Sequence, residues 1–288
     1  MPLVPTQHLV DMAERENFAL PAFNAPHLEF MMWVLEEAEH KRSPVIIQIA
    51  PVEYHFLDIN ALAEGLKALS YRFSIPFSLH LDHAHSYKEV VEAIQSGFSS
   101  VMIDASRHPF EHNVKLTRQV ADTAHLVNLM VEGEIGRVGG LEGDESWEVE
   151  GDEEDYFTSS REGLRFVRET GVDLLAVAVG TRHGVYTSGP PSLHFDRIRE
   201  IREATGKPLV LHGGSGTPVY QLQQASNLGV RKVNFSTTLR VAYLRGFNEY
   251  YAAHPQEVFL PKMMREASPM VKVTISECLT SVNSEGKA

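Results

Sequence analysis

The sequence holds one cysteine, Cys278, among 288 residues. A single thiol excludes an intrachain disulfide and any metal site built on clustered cysteines, and it fits a reducing compartment. A bound metal must therefore rest on histidines and carboxylates. Long apolar runs are also missing: none approaches the roughly 18 residues that a membrane-spanning helix needs, so a soluble protein with no membrane partner is expected. Basic residues are scarce, 26 Lys and Arg against 38 Asp and Glu, for a formal charge of −12. Phosphate backbones are bound largely through clustered Lys and Arg, so no nucleic-acid partner is expected. The opening MPLVPTQHLVDMAEREN lacks a basic stretch, an apolar core and a small-residue cleavage site in succession, and a cytoplasmic location is expected.

What is present is a globular composition, 43% hydrophobic and 22% charged, arranged in a regular alternation. Eight short apolar runs occur in order: ALPAFN, PVIIQIA, FSLHLDH, SVMIDA, LMVEGEIG, LLAVAVG, LVLHGG and KVNFST. Each is long enough for one strand and is bounded by polar, Gly or Pro residues. Helix-period patterns lie between them: Leu28 to His40 places apolar residues at 28, 31, 32, 35 and 38, and Tyr87 to Ser96 sets Val90, Val91 and Ile94 on one face. Strands covered on both sides read as continuous apolar runs. Eight strand–helix units therefore predict an α/β protein with one domain over residues 1–288, a (β/α)8 TIM barrel with extra C-terminal helices. A doubly wound open sheet is the competitor. The barrel is favoured because chemically able residues recur at the carboxyl ends of runs throughout the series, as a circular active site requires. The stretch after Tyr243 is helical in pattern and is expected to pack outside the barrel or against a neighbouring subunit.

Three histidines, His83, His183 and His212, stand where apolar runs give way to Gly or small polar residues. Imidazoles at the ends of separate buried strands can converge on one zinc ion. In LHLDHAH, alternation puts His80, Asp82 and Ala84 on one face, so His83 reaches the mouth only if the strand ends there. Asp82 beside a metal-bound His83 is placed for proton transfer. His80 reads as a core residue or one supporting the site from behind. The ten remaining histidines, His8, His27, His40, His55, His85, His108, His112, His125, His194 and His254, read as ordinary core or surface residues.

Glycines flank the second and third of these histidines. GTRHG lets a chain turn tightly around His183, with Gly184 allowing a ligand to approach the backbone, and in HGGSG the amides around Gly213 can form an anion nest beside the Ser215 hydroxyl. NFST then offers Asn234, Ser236 and Thr237 at the eighth run, and loops after barrel strands seven and eight are a recurrent phosphate site. Asp104 and Glu134 end or occupy the fourth and fifth runs, within reach of a second cation or another position of the first; Glu132 shares the face of Glu134 but lies deeper. The acidic, glycine-containing connection from Gly139 to Tyr156 reads as a mobile lid, with Glu142 as the one acid in it close enough for chemistry.

LHLDH, SVMIDAS, VEGEIG followed by GG, GTRHG, PLVLHGGSG and KVNFST resemble, in this order and spacing, the motifs of the class II, zinc-dependent ketose-bisphosphate aldolases, of the fructose- and tagatose-bisphosphate type. The resemblance runs from ALPAFN to the C-terminal helices. It implies an aldehyde-lyase that cleaves a ketose 1-phosphate or 1,6-bisphosphate into dihydroxyacetone phosphate and an aldehyde such as glyceraldehyde 3-phosphate. It further implies that His83, His183 and His212 bind the catalytic Zn2+, that Asp82 handles the proton on the C4 hydroxyl, and that Glu142 moves the proton at the dihydroxyacetone phosphate carbon. Asp104 and Glu134 match a second divalent position. Gly184, Gly213, Ser215, Asn234, Ser236 and Thr237 match the positions holding the phosphorylated three-carbon half, with Na+ or K+ often nearby in the family. Homodimers or homotetramers are the family's usual assemblies.

Three departures concern the other half of the substrate. Ser236 stands where fructose-type members commonly carry an aspartate; the second run continues IIQIAPVEY, without a Ser or Gly-rich sequel; and Arg182 replaces a small residue before the zinc ligand. Arg265, in KMMREA, is the candidate for a distal phosphate. The alternatives are the same retro-aldol chemistry on a non-standard sugar or sugar-acid 1-phosphate, a zinc hydrolase, and a non-catalytic sugar-phosphate-binding barrel. The hydrolase is disfavoured because the first run ends AFN instead of H-x-H. An isomerase using the phosphate site alone leaves three histidines unexplained.

Overall fold

Short strands and longer amphipathic helices alternate along the whole chain. The computed structural model describes the backbone of residues 2–142, 145–147, 156–186 and 189–288, and the side chains of these outside 140–147. The expected apolar runs form β1 (Leu20–Asn24), β2 (Val45–Ile49), β3 (Phe77–Ala84), β4 (Ser100–Ile103), β5 (Met130–Ile135), β6 (Leu174–Val177), β7 (Leu209–Leu211) and β8 (Val230–Phe235). Neighbours are parallel throughout, and β1 pairs with both β2 and β8, setting Phe23 opposite Phe235 and Asn24 opposite Gln48. This closure makes the sheet a TIM barrel and disposes of the open-sheet competitor.

Closure gives the chain two apolar cores. The larger lies between strands and surrounding helices and takes the outward residues of each strand, such as Ile47, Leu79, Val101 and Val131. The smaller fills the amino-terminal half of the barrel. There the helix Thr6–Glu16 plugs the floor with Leu9, Val10 and Ala13 against Leu20, Ala22, Ile46, Met130, Leu174, Ala176 and Val210. Strand side chains alternate between faces, so the inward rows continue two residues further on: Gln48 follows Ile46, Glu132 follows Met130, and His212 follows Val210. The interior thus changes from apolar to polar along β2, β5 and β7, towards the carboxyl ends of the strands.

Helices sit close to their predicted bounds, at Leu28–Lys41 and Tyr87–Gln95, the latter capped by Ser86, whose side chain accepts from the Glu89 amide. After β8 come helices Thr237–Ala253 and Leu260–Ser281, which pack outside the barrel as one of the two expectations had it. They cross at Gly246, where a Cβ would stand 3.0 Å from the Ala267 carbonyl oxygen, so only glycine permits that approach without rearrangement. The chain end returns to the helix Leu28–Lys41 through Gly286 N–H to the Lys41 carbonyl (2.9 Å) and Ala288 N–H to that of Arg42 (2.8 Å). Among the described residues no helix is long and apolar enough to cross a membrane.

Candidate active site

His83 does not owe its position to a strand end. β3 continues to Ala84, and its register with β4 shifts between Leu81 and Ala84. The expected termination is instead a bulge, in which His83 adopts φ 45°. A bulge lets two consecutive side chains reach the same side, and that is how Asp82 and His83 share the mouth. A non-glycine residue held there costs on the order of 1–3 kcal/mol and persists only where its surroundings enforce it.

His183 departs from expectation in a similar way. β6 ends at Val177, so His183 lies six residues beyond it in the loop, held by its amide to the Gly139 carbonyl at 2.8 Å. His212 directly follows β7. The three rings nevertheless converge, with centroids 4.4 Å apart for His83 and His212, 5.2 Å for His83 and His183, and 5.8 Å for His183 and His212. One ring nitrogen from each lies within 4.8 Å of the others, and His83, Asp104 and Glu134 form a second such group.

The donor set fits a metal ion by its chemistry. His212 Nδ1 and Glu134 Oε2 are buried, lack hydrogen-bond partners, and face one another at 3.2 Å. An imidazole nitrogen and a carboxylate oxygen brought together in a buried cluster are both donors that a shared cation accepts as ligands. Burial and the neighbouring His83 and His212 hold His183 well below the ordinary imidazole range, which keeps it a neutral ligand. For His212, burial and His83 act downward, but the Glu132 and Glu134 carboxylates outweigh them and raise it to about 9. Behind His83, Asp104 Oδ2 lies 3.2 Å from Nδ1, and Asp104 Oδ1 accepts from the Ser106 amide at 3.0 Å. Burial opposes ionisation of Asp104, yet the His83 contact and the Ser106 bond hold its carboxyl far below the usual range.

Asp82 is fixed by three amides. Asn24 Nδ2 (3.0 Å) and Gln48 Nε2 (3.1 Å) donate to Oδ2, and Asn234 Nδ2 donates to Oδ1 at 3.0 Å. Burial would raise its pKa, but His83, Lys232 and His212 lower it below the ordinary carboxylate value, so Asp82 is ionised and oriented. Asn24 and Gln48 had no expected role. Their signal was an amide side chain inside the apolar runs ALPAFN and VIIQIA.

The phosphate-type residues gather on the other side of the same cavity, whose wall includes Gly184, Gly213, Ser215, Asn234, Ser236 and Thr237. Gly213 has φ 66°, and a Cβ there would strike the Arg182 carbonyl, so the loops after β6 and β7 touch only because this residue lacks a side chain. Tyr186 ties the same loops together, its hydroxyl donating to the Gly213 carbonyl at 3.1 Å and accepting from the Arg182 amide at 2.9 Å. Ser215 Oγ accepts from the Ser236 and Thr238 amides at 3.3 and 3.2 Å, so it caps the helix Thr237–Ala253 while its proton remains for a ligand. The N terminus of that helix opens at the cavity and favours an anion.

Two of the residues singled out for the substrate's far end stand elsewhere. Arg265 is on the exposed face of the last helix, its guanidinium 2.6 Å from Glu266, and does not line the cavity. Arg182 lines a neighbouring pocket with Arg137, Tyr156 and His194. The cavity's own cation is Arg240, one turn into the helix that follows β8, held at 2.7 Å by the buried Glu53. It escapes pattern reading because Arg240 looks like any helix-surface arginine. Glu142 lies in a two-stranded hairpin, Gly140–Glu142 with Glu145–Trp147; its side chain, and residues 143–144 and 148–155 of the expected lid, lie outside the described residues.

A family model described as fructose-bisphosphate aldolase class-II matches residues 4–287. The chain belongs to that family. Like other aldolases it is a lyase, and a class II member is metal-dependent as a rule. Among solved structures, the YdjI aldolase of Escherichia coli K12 is 31% identical over 99% of both chains with a TM-score of 0.86. A Coccidioides immitis protein assigned as a fructose-1,6-bisphosphate aldolase is 28% identical, covering 98% of this chain and 96% of its own, with a TM-score of 0.87. A fructose-bisphosphate aldolase of Campylobacter jejuni, at 21% identity, 99% and 97% coverage and a TM-score of 0.80, shares the fold.

Proposed function

We propose that this aldolase is zinc-dependent and reversibly cleaves a ketose 1-phosphate or 1,6-bisphosphate, releasing dihydroxyacetone phosphate and an aldehyde. The observation that carries the reading is an ionised, triply held Asp82 carboxylate sharing one cavity with the three-histidine cluster and the glycine-rich anion side. His83, His183 and His212 would hold the ion, with Asp104 and Glu134 providing a second position. When bound there, zinc supplies Lewis-acid polarisation of the ketose carbonyl and stabilises the negative charge that develops as the carbon–carbon bond breaks.

The residues of the chain do the rest. Gly213, Gly184, Ser215 and the helix N terminus bind the phosphate at carbon 1 and so set the sugar's register across the mouth, turning remote binding energy into alignment. Asp82 accepts the C4 hydroxyl proton as that bond breaks. Asn24, Gln48 and Asn234 keep its oxygens aimed, and Asn234 also lines the phosphate side. Glu142 returns a proton to the three-carbon product. At the other end, Arg240 meets an anionic group on the aldehyde half, a phosphate or a carboxylate; Ser236, lacking a charge, leaves room for sugars outside the fructose series. The same reading has the protein act in the cytoplasm as a homodimer or homotetramer.

The test is a retro-aldol assay over ketose 1-phosphates and 1,6-bisphosphates, read out as dihydroxyacetone phosphate, with chelator and zinc add-back. Expected are release of dihydroxyacetone phosphate, loss on chelation and recovery with zinc. Activity surviving full metal removal would overturn the mechanism, and efficient cleavage of fructose 1,6-bisphosphate alone would remove the broader substrate range.

A further inference from the structure

One strand period beneath the mouth lies a second buried layer that the reaction above does not touch. Two residues before Glu134 and Asn234 stand Glu132 and Lys232, whose side chains have no exposed surface. The Lys232 ammonium donates to Glu132 Oε2 at 2.9 Å, and the other oxygen, Oε1, lies 2.8 Å from His212 Nε2. The two oxygens therefore have different partners. A buried ammonium 2.9 Å from one oxygen marks Glu132 as the carboxylate of an ion pair. An ionised carboxylate only accepts, so the hydrogen on this contact belongs to His212 Nε2. An imidazole that keeps its proton on Nε2 when a cation displaces any proton from Nδ1 offers the Nδ1 lone pair, and Nδ1 is the His212 nitrogen that faces Glu134, at 3.2 Å.

We propose that Glu132, anchored by Lys232, is a positioning residue that fixes the tautomer and ring orientation of His212, so that Nδ1 alone is offered to the metal. This rests on the metal-site reading above. The competing role is a structural ion pair, and the two differ in what replacement does. Exchanging a buried ion pair for apolar residues of similar volume is often neutral or stabilising. Losing the carboxylate behind a metal-bound histidine costs about 10–100-fold in metal affinity.

The paired variant Glu132→Leu with Lys232→Met removes both charges together and leaves neither unpaired. Zinc affinity is measured by competition with a chelator, alongside thermal unfolding of the metal-free protein. A positioning role predicts a variant that still unfolds cooperatively but holds zinc about 10–100-fold more weakly; zinc held as tightly as in the wild type would overturn it. Nitrogen-15 NMR of the His212 ring in the wild-type zinc protein tests the same assignment without requiring the variant to fold. The expected pattern is a protonated Nε2 and a metal-bound Nδ1, and metal on Nε2 overturns the assignment. A wild type that takes up no zinc at its histidines fails differently: it removes the metal-site reading itself, and this inference with it.

Discussion

The floor and the mouth of the barrel are built by the same eight strands, a few residues apart, and they use burial in opposite ways. At the floor, inward positions are Leu20, Ala22, Ile46, Met130, Leu174, Ala176 and Val210, sealed by the helix Thr6–Glu16. At the mouth the inward rows carry Asp82, Glu134, His212 and Asn234, all nearly inaccessible to solvent. Apolar burial stabilises at roughly 25 cal/mol per Å², whereas burying charge costs free energy unless each group is paired. The floor therefore offsets the mouth. A barrel can hold strained, charged groups at one end because its closure is secured at the other.

Four measurements probe this division of labour. The largest effect is expected from Asp82→Ala, which should keep zinc yet lose carbon–carbon cleavage by about 10²–10⁴-fold, the usual range for a positioned acid–base group; retro-aldol rates read beside metal content decide it, and full activity would remove Asp82 from the chemistry. Next comes Leu174→Ala in the floor, expected to cost about 2–5 kcal/mol of stability while leaving kcat of the folded enzyme intact. Denaturant unfolding and initial rates together test that separation, and a kcat loss as large as the stability loss would refute it.

Arg240→Met keeps the aliphatic stem and removes the cation. Charged hydrogen bonds contribute about 1.5–3 kcal/mol, so kcat/KM should fall about 10–100-fold for substrates with a second anionic group and hardly at all for those without one. An equal fall on both would show that Arg240 acts only through Glu53. The last measurement concerns His80, beneath Asp82. Burial and the Lys232 charge hold its pKa down at about 3, so the folded protein resists protonation where the unfolded chain, near 6.5, accepts it. Stability should then decline as pH falls from about 6.5 towards 3, and His80→Asn should flatten that part of the profile measured by thermal unfolding.

Much of the site was legible because barrel chemistry collects at the ends of strands, and strand ends are visible as the last polar residues of apolar runs. His83, His212, Asp82, Asp104 and Glu134 were all found that way, and they converge. Arg240 was not legible, since nothing local separates it from other helix-surface arginines; only the closed barrel brings its helix beside Glu53 and the cavity. For Arg265 chain position is the only pointer to the substrate, and the last helix carries it to the surface. A bulge and a strand end both let consecutive residues face one way, and the sequence of one strand in isolation does not distinguish them.

The alternation of strand and helix, the number of barrel strands, and the residue types at their carboxyl ends were already settled in the amino-acid order. These depend on local propensity and on which faces must be buried, both properties of neighbouring residues. Partners, in contrast, were settled only by the closed fold: Asp104 stands behind His83, three amides hold Asp82, and Lys232 reaches Glu132 across 100 residues of chain. Such pairings depend on the register with which a closed sheet returns on itself, and register is set by all eight strands together.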